Sequence, residues 1–239
     1  MGKISGGIDI VAEKGLIAKL IARFVLGLIV ISAILFGTAG TFNWPEAWVY
    51  LVIQFGWSAA LTFYLWSHDP ELLKDRLKFT KKSAKKWDKV LTLVSTPFYI
   101  SYLIIPGLDA VRYQWSHVPV WAKVACFILL TASFIWISWI MKENTYLSRF
   151  VEIQEDRGHK VITTGPYRFV RHPMYIGATI LMLVLPVALG SLYALIPAAF
   201  CVIYVIIRTY LEDKTLYKEL DGYVEYAQKT KFRLIPGIW

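Results

Sequence analysis

MYIGATILMLVLPVALGSLYALIPAAFCVIYVII, Met174–Ile207, is 34 consecutive uncharged residues. As one helix it would be about 51 Å long at 1.5 Å per residue, against a hydrocarbon core about 30 Å thick. Pro186, Gly190 and Ser191 supply a break near its middle. The run therefore predicts two helices, Met174–Leu189 and Leu192–Arg208, joined by a tight turn. Upstream, Phe24–Gly40, Ala47–Ser67, Val90–Leu108 and Val124–Met141 are four further uncharged runs of spanning length. Lys19 and Arg23 lie where long side chains can snorkel to the headgroups. The reading is an all-α polytopic membrane protein with about six transmembrane helices, ending in a helical hairpin. Charged residues ahead of the first run predict a retained span rather than a cleaved leader.

The composition agrees. Of 239 residues, 56% are hydrophobic and 18% charged, which excludes a disordered chain, a coiled coil and an ordinary soluble enzyme. A net charge of +9 would point to nucleic acid in a soluble chain; here the apolar runs assign it to a membrane, with membrane lipids as partners and no nucleic acid. The basic residues are partitioned. Four lie in the arm through Arg23, eight in His68–Lys89, six in Lys142–Pro173 and six from Arg208 onward, against only Arg112 and Lys123 on the opposite side. This asymmetry predicts that both termini and the polar segments are cytoplasmic. Lys81, Lys82, Lys85, Lys86 and Lys89 read as a basic anchor, with an anionic-lipid patch as the alternative. Trp44, Trp48, Trp66, Trp115 and Trp121 read as interface anchors. Cys126 and Cys201 lie in apolar runs and read as small core packers.

Two polar segments flank the hairpin: Gly158–Gly177, GHKVITTGPYRFVRHPMYIG, and Arg208–Arg233, RTYLEDKTLYKELDGYVEYAQKTKFR. A hairpin returns its chain to the starting face, so the two segments must be neighbours. In the first, Val161–Thr164 is a β-branched strip able to offer free backbone groups to a planar heterocycle, and Gly165-Pro166 turns the chain. Arg171-His172-Pro173 opens the fifth helix, Pro173 fitting its first turn. Unpaired N–H groups there suit an anion. In the second segment Arg208 and Glu212 share a helix face where the apolar helix emerges, a depth at which charge is costly and often functional. Asp213, about 100° round the helix, is expected to face solvent. Tyr223 and Tyr226 are expected to pack against the membrane face.

Gly165-Pro-Tyr-Arg-Phe-Val-Arg-His-Pro-Met-Tyr-Ile-Gly177, then Arg208-x-x-x-Glu212-Asp213-x-x-Leu216 and Gly222-Tyr223-x-x-Tyr226, resemble the isoprenylcysteine carboxyl methyltransferase family of integral membrane enzymes. The resemblance runs from Glu143 to Trp239. It divides the chain into a four-span scaffold, 1–142, and a cofactor-binding catalytic region, 143–239. It implies S-adenosyl-L-methionine as the methyl donor on the cytoplasmic side. His159, Lys160, Val161, Ile162 and Tyr167 would hold its adenosine part; His172, Pro173, Met174 and Tyr175 would continue the pocket. Glu212 would close it and Arg208 would face a lipophilic acceptor drawn from the bilayer. Asp213 stands where the family usually has Glu, and the family's glutamine contact falls near Glu152 or Gln154.

A carboxylate acceptor is already nucleophilic at neutral pH, and the guanidinium fork of Arg208 would bind its two oxygens. An amine acceptor, as in phospholipid N-methylation, would need Glu212 or Asp213 as base. NADPH-dependent sterol-type reductases share an Arg-His-Pro-x-Tyr element, but typically show Asn before that Tyr and an acidic residue after the Gly. Met174 and Ala178 stand there instead. A non-catalytic transporter would carry charge at mid-span, which these runs almost lack.

Overall fold

The computed structural model describes residues 5–78 and 83–239. Lys81 and Lys82 of the basic anchor lie outside the described residues. The long helices are α1 (Ser5–Ala39), α2 (Pro45–His68), α4 (Lys86–Pro106), α5 (Val120–Glu143) and α7 (Leu195–Glu219); α3 (Pro70–Arg76) and α8 (Tyr223–Lys229) are short, and α6 (Pro173–Ala188) has 16 residues. There is no strand among the described residues. Outward-facing side chains are apolar along these helices: Val52, Phe63 and Leu93 are each more than 70% exposed. In a water-soluble fold such a belt would be unmatched; around a bundle of this length it is the lipid-facing surface.

Among the described residues five helices are long and apolar enough to cross a bilayer: Gly15–Ala39, Pro45–His68, Lys86–Arg112, Val120–Glu143 and Leu195–Glu219. The expected fifth span is shorter than they are. At 1.5 Å per residue α6 covers about 24 Å, because both its ends are fixed by local chemistry. It starts at Pro173, whose missing N–H costs nothing there. It ends at a turn over Leu189–Ala194 that is held by Asp109. That carboxylate, fully buried, accepts from Ser116 Oγ (2.7 Å), Ser191 Oγ (2.5 Å) and the Tyr193 amide (3.2 Å). Asp109 itself sits in a π-helical turn, Gly107–Arg112, that continues α4. A Cβ at Gly107 would lie 2.8 Å from the Ala39 amide nitrogen, so only glycine lets α1 approach that turn.

The hairpin is as read, but its second arm differs. α7 begins at Leu195, not Leu192, and runs through Arg208 to Glu219 as one helix. It carries the apolar run out of the bundle and lifts Glu212 and Asp213 with it. α6 packs chiefly on α5, and α7 on α4 and α6. The main core, which includes Leu35, Leu51, Leu130, Phe134, Leu185 and Ala198, lies where α1, α2, α5, α6 and α7 meet. Trp44, expected at the interface, is 3% exposed and belongs to this core; Trp48, Trp115 and Trp121 are exposed. Lys85 is not a free anchor either: its Nζ lies 2.8 Å from Glu219 Oε1, tying the end of α7 to the start of α4.

Candidate active site

α3, the 144–172 connection, the emergent end of α7, α8 and the C-terminal segment all meet at the basic end of the bundle. Gly165 sets the path of the connection. Its φ of +55° is left-handed, and a Cβ there would sit 2.7 Å from Glu143 Cγ. The turn it makes buries Tyr167, whose hydroxyl accepts from Asn144 Nδ2 (2.8 Å) and whose carbonyl accepts from Tyr226 OH (2.7 Å). Burial pushes the Tyr167 phenol well above its ordinary range.

Asp213 is the hub of the site, which corrects the expectation that it faces solvent. It is 1% exposed. Its Oδ1 accepts from Arg171 Nε (2.8 Å) and Tyr223 OH (2.8 Å) and lies 3.1 Å from His172 Nε2. Its Oδ2 accepts from Arg171 Nη2 (3.0 Å) and Arg233 Nε (2.7 Å). Arg171 Nη1 also donates to the carbonyls of Thr230 and Lys231. The amides of Arg171 and His172 bond the carbonyls of Phe232 and Arg233, so the C-terminal segment covers the face of α7 that would otherwise be wet. Partners of this number and charge offset the cost of burying a carboxylate. Tyr223 and Tyr226, expected against the membrane, are buried in this cluster instead.

His172 bridges the hub to the cavity. Its Nδ1 lies 3.7 Å from Glu212 Oε1, and Glu212 Oε2 accepts from Tyr175 OH at 2.5 Å. Burial alone would depress the His172 pKa; the hydrogen bonds and charges of Asp213 and Glu212 outweigh it and hold the imidazole above its ordinary 6.5. His159 shifts the other way. Burial and the Arg157 charge lower its pKa, and its ring stacks on Tyr146 with centroids 4.6 Å apart.

A cavity of about 560 Å³ runs through this region, within the range of small-molecule sites. Of the residues expected to bind a cofactor, His159, Lys160, Val161, Ile162, Tyr167, His172, Met174, Tyr175 and Glu212 line it, as does Arg208. Pro173 does not: it is buried behind the wall, its carbonyl accepting from Trp136 Nε1 (2.9 Å). Glu152 lines the cavity; Gln154 is turned into the connection, its amide spent on the Tyr146 carbonyl and the Arg157 guanidinium. The strip 159–163 has no regular structure, and the amides of Lys160, Val161 and Ile162 have no intramolecular acceptor among the described residues. The apolar end of the cavity lies between α4, α6 and α7, at Tyr99, Met182 and Tyr204.

Arg208 does not pair with Glu212. Its Nε lies 3.0 Å from Asp88 Oδ1 and its Nη2 3.3 Å from Asp88 Oδ2. Nη2 also donates to the Arg149 carbonyl (2.7 Å) and Nη1 to Tyr204 OH (3.1 Å). Asp88, fully buried, further accepts from the Val151 amide. Sequence reading missed Asp88 as a site residue. The available signal was a lone acid within the basic stretch Lys81–Lys89, at the start of a span, where an unpaired charge is costly.

Residues 118–220 match the phospholipid methyltransferase family, a family of membrane methyltransferases; the match spans α5, the connection, α6 and all of α7. No curated protein matches the chain.

Proposed function

We propose that the protein is an S-adenosyl-L-methionine-dependent methyltransferase acting on a lipophilic acceptor that enters from the bilayer, with the site on the cytoplasmic side. The observation that carries this reading is the double character of one cavity. One end is walled by the open backbone strip at Lys160–Ile162 and the His172–Glu212 pair, the other by membrane helices. The donor fits the polar end: free amides suit its adenine, neutral His159 suits a stacked heterocycle, and Glu212 supplies the anion a sulfonium needs. When bound, the donor supplies a methyl group on a positively charged sulfur. The basic asymmetry of the chain supports the cytoplasmic orientation.

The acceptor the geometry supports best is the primary amine of a phospholipid. Arg208 is already ion-paired with the buried Asp88 carboxylate and donates to it through Nη2. A carboxylate acceptor would have to break that buried pair, whereas an amine is drawn to Glu212. Asp213, saturated by Arg171, Arg233, His172 and Tyr223, is removed as a base. In this reading Glu212 takes the proton from the acceptor ammonium. The freed nitrogen would then accept the methyl group that the donor supplies when bound, the C–S bond electrons remaining with the donor's sulfur. Tyr175 and His172 hold Glu212 in place. Carboxyl O-methylation of an isoprenylcysteine is the second reading, favoured by Arg208 bordering the cavity beside Glu212.

The test is calorimetry with S-adenosylhomocysteine and NADPH, followed by labelled methyl transfer to phosphatidylethanolamine, prenylcysteine, fatty acid and thiol acceptors. Binding of S-adenosylhomocysteine without NADPH, and label on phosphatidylethanolamine, is expected. NADPH binding with no response to S-adenosylhomocysteine would overturn the methyltransferase reading. Label on prenylcysteine alone would replace the amine by the carboxylate.

A further inference from the structure

The guanidinium groups on the cavity wall are not equivalent. Arg171 is saturated by Asp213 and two carbonyls, and Arg208 is ion-paired with Asp88, its two terminal nitrogens donating to Asp88, Tyr204 and a carbonyl. Arg76 and Arg149, which also line the cavity, have no carboxylate at ion-pair distance among the described residues. Arg76, at the end of α3, has among the described residues one side-chain hydrogen bond, to the Leu147 carbonyl, 3.0 Å from its Nη1. That bond pins it against the strand of chain that carries Arg149. The Arg149 side chain is exposed and makes no hydrogen bond among the described residues; only its carbonyl is used, by Arg208. Burial and the charge of Arg149 together pull Arg76 down to about 10 from an ordinary 12.5, Asp75 opposing them. Asp75 is itself paired with Lys78 at 3.3 Å. Two like charges thus border one cavity with most of their donors unspent, a state that an oxyanion between them relieves.

Their level in the fold narrows the anion. Arg76 and Arg149 lie just beyond the ends of α2 at His68 and α5 at Glu143, where apolar helix gives way to polar chain. The same cavity continues past them to Tyr99, Ala178 and Met182 among the membrane helices. A ligand that uses both parts carries an anion at headgroup depth and a hydrocarbon tail. Building on the methyl-transfer reading above, we propose that Arg76 and Arg149 form the phosphodiester subsite of a glycerophospholipid acceptor, fixing its headgroup so that the amine reaches Glu212. They are specificity residues for the acceptor and leave the donor end untouched.

The experiment is equilibrium binding to the full chain in detergent, followed by intrinsic fluorescence. The ligands are dihexanoyl phosphatidylethanolamine, dihexanoylglycerol, a farnesylcysteine, inorganic phosphate and S-adenosylhomocysteine. Arg76→Gln and Arg149→Gln should each weaken phosphatidylethanolamine binding about ten- to a hundredfold, the loss of one charge-assisted contact. The Lys variants should fall between, keeping charge but not the fork. Affinity for dihexanoylglycerol and for S-adenosylhomocysteine should not change. Unchanged phosphatidylethanolamine affinity in both Gln variants would overturn the subsite. Parallel loss of S-adenosylhomocysteine would reassign the arginines to the donor carboxylate, and equal loss of farnesylcysteine would remove the preference for a phosphodiester. Phosphate competing as strongly as the lipid would exclude a lipid-specific site. Arg149 is exposed, so its Gln variant carries the test even if Arg76→Gln fails to fold. Failure of the wild type to bind S-adenosylhomocysteine would sink the methyl-transfer reading by itself, and the lipid comparison would still stand.

Discussion

Replacing Asp213 by Asn removes one charge and leaves the shape of the hub intact. Arg171 is 6% exposed and loses the ionic half of a bidentate contact whose two bonds are 2.8 and 3.0 Å. His172 and Arg233 lose the same counter-charge. Breaking one side of a buried pair costs about 3–5 kcal/mol, since the other charge stays buried and unpaired. Asn keeps one acceptor oxygen and Arg171 keeps two carbonyls, which points to the lower end, about 3 kcal/mol. For a chain of this size the midpoint should fall by roughly 6–12 °C, at about 2–4 °C per kcal/mol. Thermal unfolding in detergent, followed by tryptophan fluorescence, reads this directly. Asp213→Asn combined with Arg171→Met should be less destabilised than the sum of the two single changes, because the orphaned charge goes with its partner. A midpoint within about 2 °C of wild type, or strict additivity in the double variant, would refute the hub as the element that fastens the C-terminal segment to α7.

Glu212→Gln keeps the Tyr175 hydrogen bond but loses the anion facing the cavity, so S-adenosylhomocysteine should bind about as before while the positively charged donor binds at least tenfold more weakly; equal loss for both ligands, checked by calorimetry, would make Glu212 a structural residue. His172 has its pKa raised in the folded state, so its contribution to stability is fully present below the unfolded value near 6.5 and is lost as pH rises through the folded value. The melting midpoint should decline over that interval in the wild type and be flatter in His172→Gln; the same slope in both would show that another group titrates. Gly165→Ala should cost about 1–3 kcal/mol, from the left-handed φ and the clash with Glu143, and a wild-type midpoint would show that the turn can relax. Cysteines introduced at Lys229 and Trp115 should label from opposite sides of intact cells, only Trp115 from outside; strong external labelling at Lys229 would invert the orientation.

The sequence by itself determined the class of fold and the neighbourhood of the site. Runs of uncharged residues are a one-dimensional signal, because a helix in hydrocarbon satisfies its own backbone and needs only length and apolarity. A break near Pro186–Ser191 follows from the excess length of the last run, and a hairpin brings the flanking polar segments together. Tertiary structure decided what those segments do with their charges. Asp213 and Glu212 are adjacent in sequence, yet one is sealed under the 230–233 segment and the other opens on the cavity. Helical spacing separates two such residues by an angle but does not say which side is covered. Arg208 shares a helix face with Glu212, yet its partner is Asp88, on another helix. Gln154 and Glu152 were indistinguishable by motif register, and only the fold of the connection turned one inward to Tyr146 and the other to the cavity. The physical reason is common to all of these. Apolar burial depends on local pattern, whereas a buried charge must find its partner in three dimensions, and that partner is set by how distant segments pack.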